Sequence, residues 1–444
     1  MTEDSPQHDY YAQHLANVNQ TRGVVASTDI TNSQGALLVA CGQHLDARTV
    51  DRVVQHKLSK PIENSVELLD AVDGEGLYEL LQNLWVRIPE LAIRQKDAQE
   101  ALQNLCQNYG RIPILVQKFT VLHMEFAVAS ERSLFSALLS FQILFQDELT
   151  DEIEDGFLAA LCQDFGYLHI DPDVGLEKGD RTPTMEKSYL AHPVLSHFCL
   201  KNVEGISSAM KKAVLHHEER MDGSGFPRQI HGSHLDRLEQ LLWLANRAHH
   251  IYFHRLKPIG FSLADYTAIL TFQHGMIRSD IWRLALNYFD RLPHRQRPVV
   301  TPRDMKQHVE RMLVNLPKLL QTFTSLYGLV MSLPLQEKMP LNTVAKHKAM
   351  RLRVAMASAG LIMEAHEQFL REQQKAFEPE FHLELEQGEL VQAECQDELS
   401  ELTRTLRLVV TQYDQLSPDL VQLISSELQF YERVEMLQPD VAVG

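Results

Sequence analysis

Apolar residues recur at the three- and four-residue spacing of helices through most of the chain, from about Tyr78 onwards. The stretch at residues 22–69 has a different pattern, because two short apolar runs of strand type flank a turn at residues 32–35. A helical pattern follows Gly42. The sequence therefore predicts a mainly α protein with a small mixed β segment at its N-terminus.

The same pattern divides the chain into parts. A polar, proline-bearing stretch, RLPHRQRPVVTPRDM, separates the central helices from long amphipathic helical runs at residues 303–333, 341–374 and 389–435. We predict four parts, which are an N-terminal mixed α/β segment at 1–70, a helical domain at 71–290, a linker at 291–305 and a C-terminal helical region at 306–444. Long amphipathic helices at the C-terminal end suit binding of a protein partner.

Composition narrows the classes of partner. The formal net charge of -17 disfavours a nucleic-acid groove and an anionic membrane surface, since both require clustered Lys and Arg. The most apolar run, at residues 134–145, is shorter than the roughly 20 residues that span a bilayer. The acidic N-terminus also lacks the features of a secretion signal. We expect a cytoplasmic protein with no nucleic-acid partner and no membrane insertion.

Candidate chemistry is concentrated in three phrases. The first is HHEERMDGSGFP, which joins His216 and His217 to a glycine-rich loop that ends in proline. The second, GFLAALCQDFGYLHIDPDVG, contains Asp164, and the third, TMEKSYLAHPVLS, contains His192. Imidazoles and carboxylates are the ligands that divalent transition metals prefer. Together the phrases indicate a metal site next to a loop whose glycines permit close backbone approach.

These phrases resemble the signature of the HD-GYP family, whose members use metal ions to hydrolyse the bacterial second messenger cyclic di-GMP. The resemblance extends over about residues 122–289 and implies an HD-domain-like helical bundle. It also implies a metal site of manganese or iron with Asp164 as a catalytic residue if the protein is active. The implied metal ligands are Asp164, His192, His216 and His217, and the implied ligand loop is Asp222, Gly223, Ser224, Gly225, Phe226 and Pro227.

At several positions, the residue type that the family uses for metal or phosphate binding is replaced in this sequence. Gln163 and Asn246 stand where the family has a metal-binding histidine and aspartate, and Tyr167 replaces a lysine. An upstream histidine is expected where the chain has Ala129 or Ser130. Losing two or more ligands should weaken metal binding by at least about 10²–10⁴-fold. The site is therefore predicted to be degenerate, with low metal occupancy or no metal at all.

The histidine pair has an irregular spacing. Three residues separate HHE from Asp222, whereas the family has two. Either the loop has gained a residue, or the frame is His217-Glu218-Glu219 and a glutamate replaces the second histidine.

Two functions follow. The first is a non-catalytic module of cyclic di-GMP signalling that senses a ligand or binds a protein. The second is an active metal-dependent cyclic di-GMP phosphodiesterase with a rearranged metal site. The run at residues 378–401, with nine acidic residues and no Lys or Arg, is either a solvated helix face or a surface for a basic partner.

Overall fold

Antiparallel pairing forms two short strand pairs near the N-terminus. The computed structural model describes residues 10–147, 149–175, 182–335, 339–412 and 416–436, so the first nine residues of the predicted N-terminal segment and the last eight of the C-terminal region lie outside the described residues. The described residues contain four strands and seventeen α-helices. The strands are β1 (Val24–Ala26), β2 (Ile30–Thr31), β3 (Leu37–Val39) and β4 (Val66–Leu68). The helices are α1 (Tyr10–Arg22), α2 (Ala47–Val54), α3 (Gly74–Arg87), α4 (Lys96–Gly110), α5 (Pro113–Glu125), α6 (Ala127–Gln146), α7 (Thr150–Cys162), α8 (Pro183–Leu200), α9 (Ser208–His216), α10 (Arg237–Ile251), α11 (Tyr266–Phe272), α12 (Ser279–Asp290), α13 (Met305–Ser332), α14 (Pro340–Ser358), α15 (Glu364–Lys375), α16 (His382–Gln412) and α17 (Pro418–Met436).

The predicted hairpin around residues 32–35 is formed by β2 and β3, and β1 pairs with β4. In β4 the side chains alternate, since Val66 and Leu68 are buried while Glu67 between them is exposed. All four strands lie before residue 70, so the predicted mainly α fold with a small N-terminal β segment is confirmed.

The first of two compact units contains the residues up to Glu219, Gly225–Gln229 and Leu235–His249. The N-terminal segment packs onto α5 in this unit. The amide of Gln117 donates to the Val66 carbonyl at 2.9 Å and to the Glu63 carbonyl at 3.1 Å, and the Tyr11 hydroxyl donates back to Gln117 at 2.8 Å. Residues 10–70 and the helices α3 to α9 thus lie in the same unit.

The centre of this unit is α6, which packs along α7. Phe135, Leu138 and Phe141 are fully buried on α6 because the helix is apolar on most of its faces. The helix α9 packs against both α7 and α8. Their ends bring the three predicted metal-site phrases to one place.

The second unit contains Arg220–Ser224, Ile230–His234 and the chain from His250 onwards. Its core is formed by α13, α14 and α16, with apolar residues from the other C-terminal helices. The predicted helical run at 341–374 is broken at Gly360, whose φ of +73° ends α14 and separates it from α15. The run at 389–435 is likewise divided, because Pro418 begins a new helix, α17.

The predicted linker at 291–305 lies inside this second unit. Arg295 pairs with Asp265 and Glu386, and the Val300 amide donates to Glu386 at 2.6 Å. Glu386 and Glu394 belong to the acidic run of α16 and are buried, with Glu394 accepting from Arg255 at 2.8 Å. Part of that run therefore pairs with basic side chains of its own unit and is not a solvated face.

None of the helices in the described ranges is both long and apolar enough to cross a membrane.

Candidate metal centre

Three buried side chains of the first unit meet at the ends of α7, α8 and α9. Asp164 follows the end of α7, His192 lies within α8, and His217 directly follows α9. The Nε2 atoms of the two histidines are 3.1 Å apart, and the Asp164 Oδ1 atom lies 3.8 Å from His192 Nε2 and 3.9 Å from His217 Nε2. In the described part of the chain, these are the residues whose donor atoms are grouped closely enough to hold a metal ion.

The hydrogen bonds behind the histidines fix which nitrogen faces the cluster. His192 Nδ1 lies 2.7 Å from the Tyr189 carbonyl, and His217 Nδ1 lies 2.7 Å from the Val214 carbonyl. A carbonyl only accepts, so each Nδ1 carries a proton and each Nε2 is the nitrogen that faces the cluster. A ring with its single proton at Nδ1 has a lone pair at Nε2, and two such atoms 3.1 Å apart suit a shared proton or cation.

These donors fit one divalent metal ion. Asp164 Oδ1 is buried and has the Arg132 guanidinium beside it, and it keeps a lone pair that faces the two Nε2 atoms. Two imidazoles and one carboxylate are a common ligand set for a first-row transition metal. The Glu218 carboxylate lies 3.9 Å from His217 Nε2 and adds a further negative charge nearby.

An arginine supplies positive charge at the same aspartate. Arg132, on α6, donates through Nε to Asp164 Oδ2 at 3.0 Å, and its Nη2 atom lies 2.9 Å from Asp164 Oδ1. Burial by itself lowers the pKa of Arg132, but the Asp164 charge outweighs it and holds that pKa above its usual range. Asp164 thus has a permanent counter-charge that does not depend on a metal.

Gln163 and Asn246, two positions predicted to have lost a metal ligand, hydrogen-bond to each other. Gln163 Nε2 donates to Asn246 Oδ1 at 2.9 Å, and Asn246 Nδ2 donates to Gln163 Oε1 at 2.8 Å. Ser136 also donates to Asn246 Oδ1 at 2.8 Å. The two neutral amides are therefore satisfied by one another. These residues do not fit a second metal ion, because their oxygens are already used and carry no negative charge.

His216, the other predicted ligand of the pair, is not in the cluster. Its Nδ1 atom lies 2.6 Å from Glu239 Oε1, and both side chains are buried. Adjacent residues at a helix end point about 100° apart, so only one histidine of the pair can enter the site. The position of His217 favours the frame His217-Glu218-Glu219, with Glu218 at the second histidine position and two residues between Glu219 and Asp222.

Comparison with known proteins finds one family match. Residues 124–269 match the family model described as HD domain. The match makes this part of the chain similar to an HD domain. The HD-superfamily resemblance of its motif phrases is therefore confirmed, and the matched range contains Asp164, His192 and His217.

The comparisons with solved structures and with curated proteins found less similarity than the family match. The chain is similar to Bd1817, a HDG"Y"P protein from Bdellovibrio bacteriovorus, with a TM-score of 0.32 and 15% sequence identity, and the match covers 60% of this chain and 93% of that one. No curated protein matches the sequence.

Aromatic rings lie beside the cluster of Asp164, His192 and His217, close to the His192 imidazole. The Tyr167 ring stacks on His192 with centroids 4.7 Å apart, and the rings of Tyr189 and Phe226 lie 5.2 and 5.9 Å from the same imidazole. Burial raises the pKa of the Tyr167 hydroxyl, so this residue is a neutral phenol where the family has a lysine. Where the resemblance implies a positively charged lysine, Tyr167 therefore provides an aromatic ring that stacks on His192.

The predicted ligand loop is divided between the two units, with Asp222, Gly223 and Ser224 in the second and Gly225, Phe226 and Pro227 in the first. Gly223 has a φ of +78°, as the predicted close-turn role of the glycines requires. The Asp222 carboxylate accepts from the Ser224 amide at 2.8 Å. Burial raises the pKa of Asp222, but the Lys348 charge and the bond from Ser224 outweigh it and lower that pKa below its usual value.

Arg132 and Glu239 are the site residues that the sequence did not indicate. Arg132 lies in the phrase AVASERSLF, three residues after Ala129, where a histidine was expected. A charged residue in a mostly apolar helix was the available signal. Glu239 gave no signal, because nothing in its sequence surroundings separates it from a surface glutamate.

Proposed function

We propose that this protein is a non-catalytic HD-GYP-like module of bacterial cyclic di-GMP signalling, which senses a ligand or binds a protein partner. The observation that carries the proposal is the reciprocal hydrogen bonding of Gln163 and Asn246. A two-metal centre stabilises both the attacking and the leaving oxygen of a phosphodiester, and this requires charged or imidazole ligands around both ions. The amide pair removes two of those ligands.

The charge balance supports the same proposal. Arg132 neutralises Asp164, whose carboxylate would otherwise have to be balanced by a bound metal. A fixed guanidinium stabilises a buried carboxylate but cannot bind and activate water as a metal does. In this proposal the Arg132–Asp164 ion pair stabilises the HD-GYP-like fold although the site no longer catalyses hydrolysis.

Aromatic residues near His192 suggest which part of a ligand this site could still bind. Tyr189 and Phe226 are partly exposed and have rings close to His192, and aromatic faces stack well on nucleobases. Loss of the family lysine at Tyr167 removes one contact to phosphate. A protein partner would bind the C-terminal helices, where Leu408 and Leu423 have exposed side chains.

The alternative function, an active cyclic di-GMP phosphodiesterase with a rearranged metal site, is favoured by one observation. Asp164, His192 and His217 form a donor set that fits one ion, with manganese and iron as the metals expected from the resemblance. A bound metal would supply Lewis acidity and a water of lowered pKa. Arg132 would then orient Asp164 through its two contacts, and the histidine Nδ1 bonds would hold both rings in place.

The test is to measure cyclic di-GMP binding and hydrolysis on the same full-length protein, grown with manganese and iron. The matched control is Asp164→Asn, which removes the central carboxylate charge with little change of shape. We expect no turnover from either protein. Hydrolysis that disappears in Asp164→Asn would overturn the non-catalytic assignment and establish the alternative. Binding without hydrolysis supports a sensor, and absence of both limits the module to protein binding.

A further inference from the structure

A small cavity lies within the second unit. Its volume is about 190 Å³. That is below the roughly 300–1,000 Å³ of pockets for drug-sized molecules, so it suits a small chemical group. It is lined by Met221, His231, Gly232, His347, Met350 and Arg351. Residues that precede and follow the predicted ligand loop, called the motif loop below, therefore line the cavity together with residues of α14.

Arg351 is the charged group of this lining. Its guanidinium is only partly exposed and lies within the field of the Asp222 carboxylate. Among the described residues it makes no hydrogen bond and no ion pair. A guanidinium in a concave site presents several N–H groups in a planar fork, which matches the oxygens of a phosphate or carboxylate. Its donors are available to a ligand in the cavity.

Two histidines complete the polar part of the lining. The rings of His231 and His347 meet edge to face with centroids 5.2 Å apart. His347 hydrogen-bonds to the backbone of Asp222, whereas the ring of His231 makes no hydrogen bond with the described residues. A neutral imidazole keeps one N–H, so His231 can donate to an anion beside Arg351.

The cavity is built on the motif loop itself. Asp222 and His231 pair as an antiparallel bridge, and the Gly232 amide donates to the Met221 carbonyl at 3.0 Å. A Cβ atom at Gly223 would lie 2.3 Å from the His231 ring, so this ring packs directly on the glycine. The neighbouring Lys348 ammonium lies 3.6 Å from Glu401 and is close enough to lower the pKa of Asp222. Lys348 is thus already neutralised, which leaves Arg351 as the cation for a ligand.

We propose that this cavity binds a phosphate group, with Arg351 as its forked donor and His231 as a second donor. The ligand is either inorganic phosphate or the phosphate end of a small phosphomonoester. A ligand there touches both α14 and the segment that contains Asp222 and Gly223, so it links the C-terminal region to the motif loop. The proposal does not depend on metal binding at Asp164 or on the absence of hydrolysis.

The experiment is calorimetric titration of the full-length protein in phosphate-free buffer with inorganic phosphate and, separately, with a nucleoside 5′-monophosphate. We expect saturable binding at one site per chain, weakened at least about tenfold in Arg351→Gln. The control is Arg371→Gln, because Arg371 is exposed and pairs only with Glu367 in the described structure. Its binding should equal that of the unaltered protein.

A second variant separates loss of the site from loss of folding. Met350 lines the cavity but has an exposed side chain, so Met350→Trp should fill the space without removing a charge. This variant should also weaken binding, with an unchanged circular dichroism spectrum. Tighter binding of the monophosphate than of inorganic phosphate would identify a phosphorylated ligand, and equal affinity would identify free phosphate; both support the proposal. Binding that survives unchanged in Arg351→Gln, or no saturable binding up to about 10 mM phosphate, would overturn it.

Discussion

The side-chain amides of Gln163 and Asn246 hydrogen-bond to each other in both directions, at 2.9 and 2.8 Å. Both stand at positions where the family resemblance implies a metal ligand. Gln163 is fully buried, so its amide has to find a protein partner. The two substitutions act as a matched set, because each amide supplies the donor and the acceptor that the other needs.

A double-mutant cycle tests this coupling. Gln163→Ala or Asn246→Ala alone should lower the free energy of unfolding by about 1–3 kcal/mol, since each leaves a buried or half-buried amide without its partner. The double variant should cost less than the sum, with a coupling energy of about 0.5–3 kcal/mol. Urea unfolding of the four proteins provides the measurement, and additive costs would show that the pair does not act as a unit.

Arg132→Met should be strongly destabilising, because it leaves the buried Asp164 carboxylate without its counter-charge. Breaking a buried ion pair in this way costs about 3–5 kcal/mol. Added Mn²⁺ should recover stability in Arg132→Met and raise its melting temperature more than that of the unaltered protein, because the ion replaces the lost charge.

The matched control for that variant is Arg87→Met. Arg87 pairs with Glu131 at the surface, with 53% of its side chain exposed. Its loss should cost less than about 1 kcal/mol and should show no response to metal. Equal effects of the two substitutions would contradict the role assigned to Arg132.

Gly166→Ala should disturb the helix that contains His192. A Cβ atom at Gly166 would lie 2.1 Å from the His192 carbonyl oxygen, and a helix backbone cannot yield as a side chain does. We expect a loss of at least about 1–3 kcal/mol in unfolding free energy. The control, Gly328→Ala, lies in α13 with no atom near the added carbon, and should stabilise the protein by about 0.5–1 kcal/mol. Thermal and urea unfolding of both variants distinguish these opposite signs.

His169 should make stability depend on pH below neutrality. Burial, with Lys118 beside it, holds the pKa of His169 well below the ordinary value of 6.5. Lys118 Nζ lies 3.1 Å from His169 Nε2, 3.6 Å from Glu63 and 4.1 Å from the centre of the Tyr11 ring, so the imidazole is kept neutral as an acceptor. The unfolded chain takes up this proton near pH 6.5, while the folded chain does so only at lower pH.

The free energy of unfolding should therefore fall as the pH drops below about 6.5, by up to about 1.4 kcal/mol per pH unit from this group. His169→Gln keeps an acceptor for Lys118 and removes the titrating ring. The variant should lose less stability than the unaltered protein between roughly pH 6.5 and 5.5 in urea unfolding. Parallel curves for the two proteins would show that His169 is not the cause.

Much of the fold followed from periodicity, because apolar spacing reports the local helical geometry directly. The hairpin around residues 32–35 and the long C-terminal helices were predictable for this reason. The break at Gly360 was not, since a single glycine within a helical pattern is tolerated as often as it ends a helix. The packing of residues 291–305 was also hidden, because it depends on Glu386, which is distant in sequence.

The site was predictable where a motif fixes the residue, as for Asp164 and His192. It was not predictable where the rotation of a residue about its helix, or a partner distant in sequence, decides which side chains meet. Only the three-dimensional arrangement shows that His217 enters the cluster while His216 turns to Glu239. The reciprocal bonding of Gln163 and Asn246 likewise joins residues 83 positions apart, and neither amide suggests the other in the sequence.

The most direct test of the account is the metal content of the purified, untagged protein, measured by mass spectrometry after growth with manganese and iron. The account predicts at most one ion per chain, held by Asp164, His192 and His217 and lost in His217→Ala, together with no hydrolysis of cyclic di-GMP by the same sample. About two ions per chain with measurable turnover would contradict it, because the Gln163–Asn246 pair would then have to open to admit a second metal.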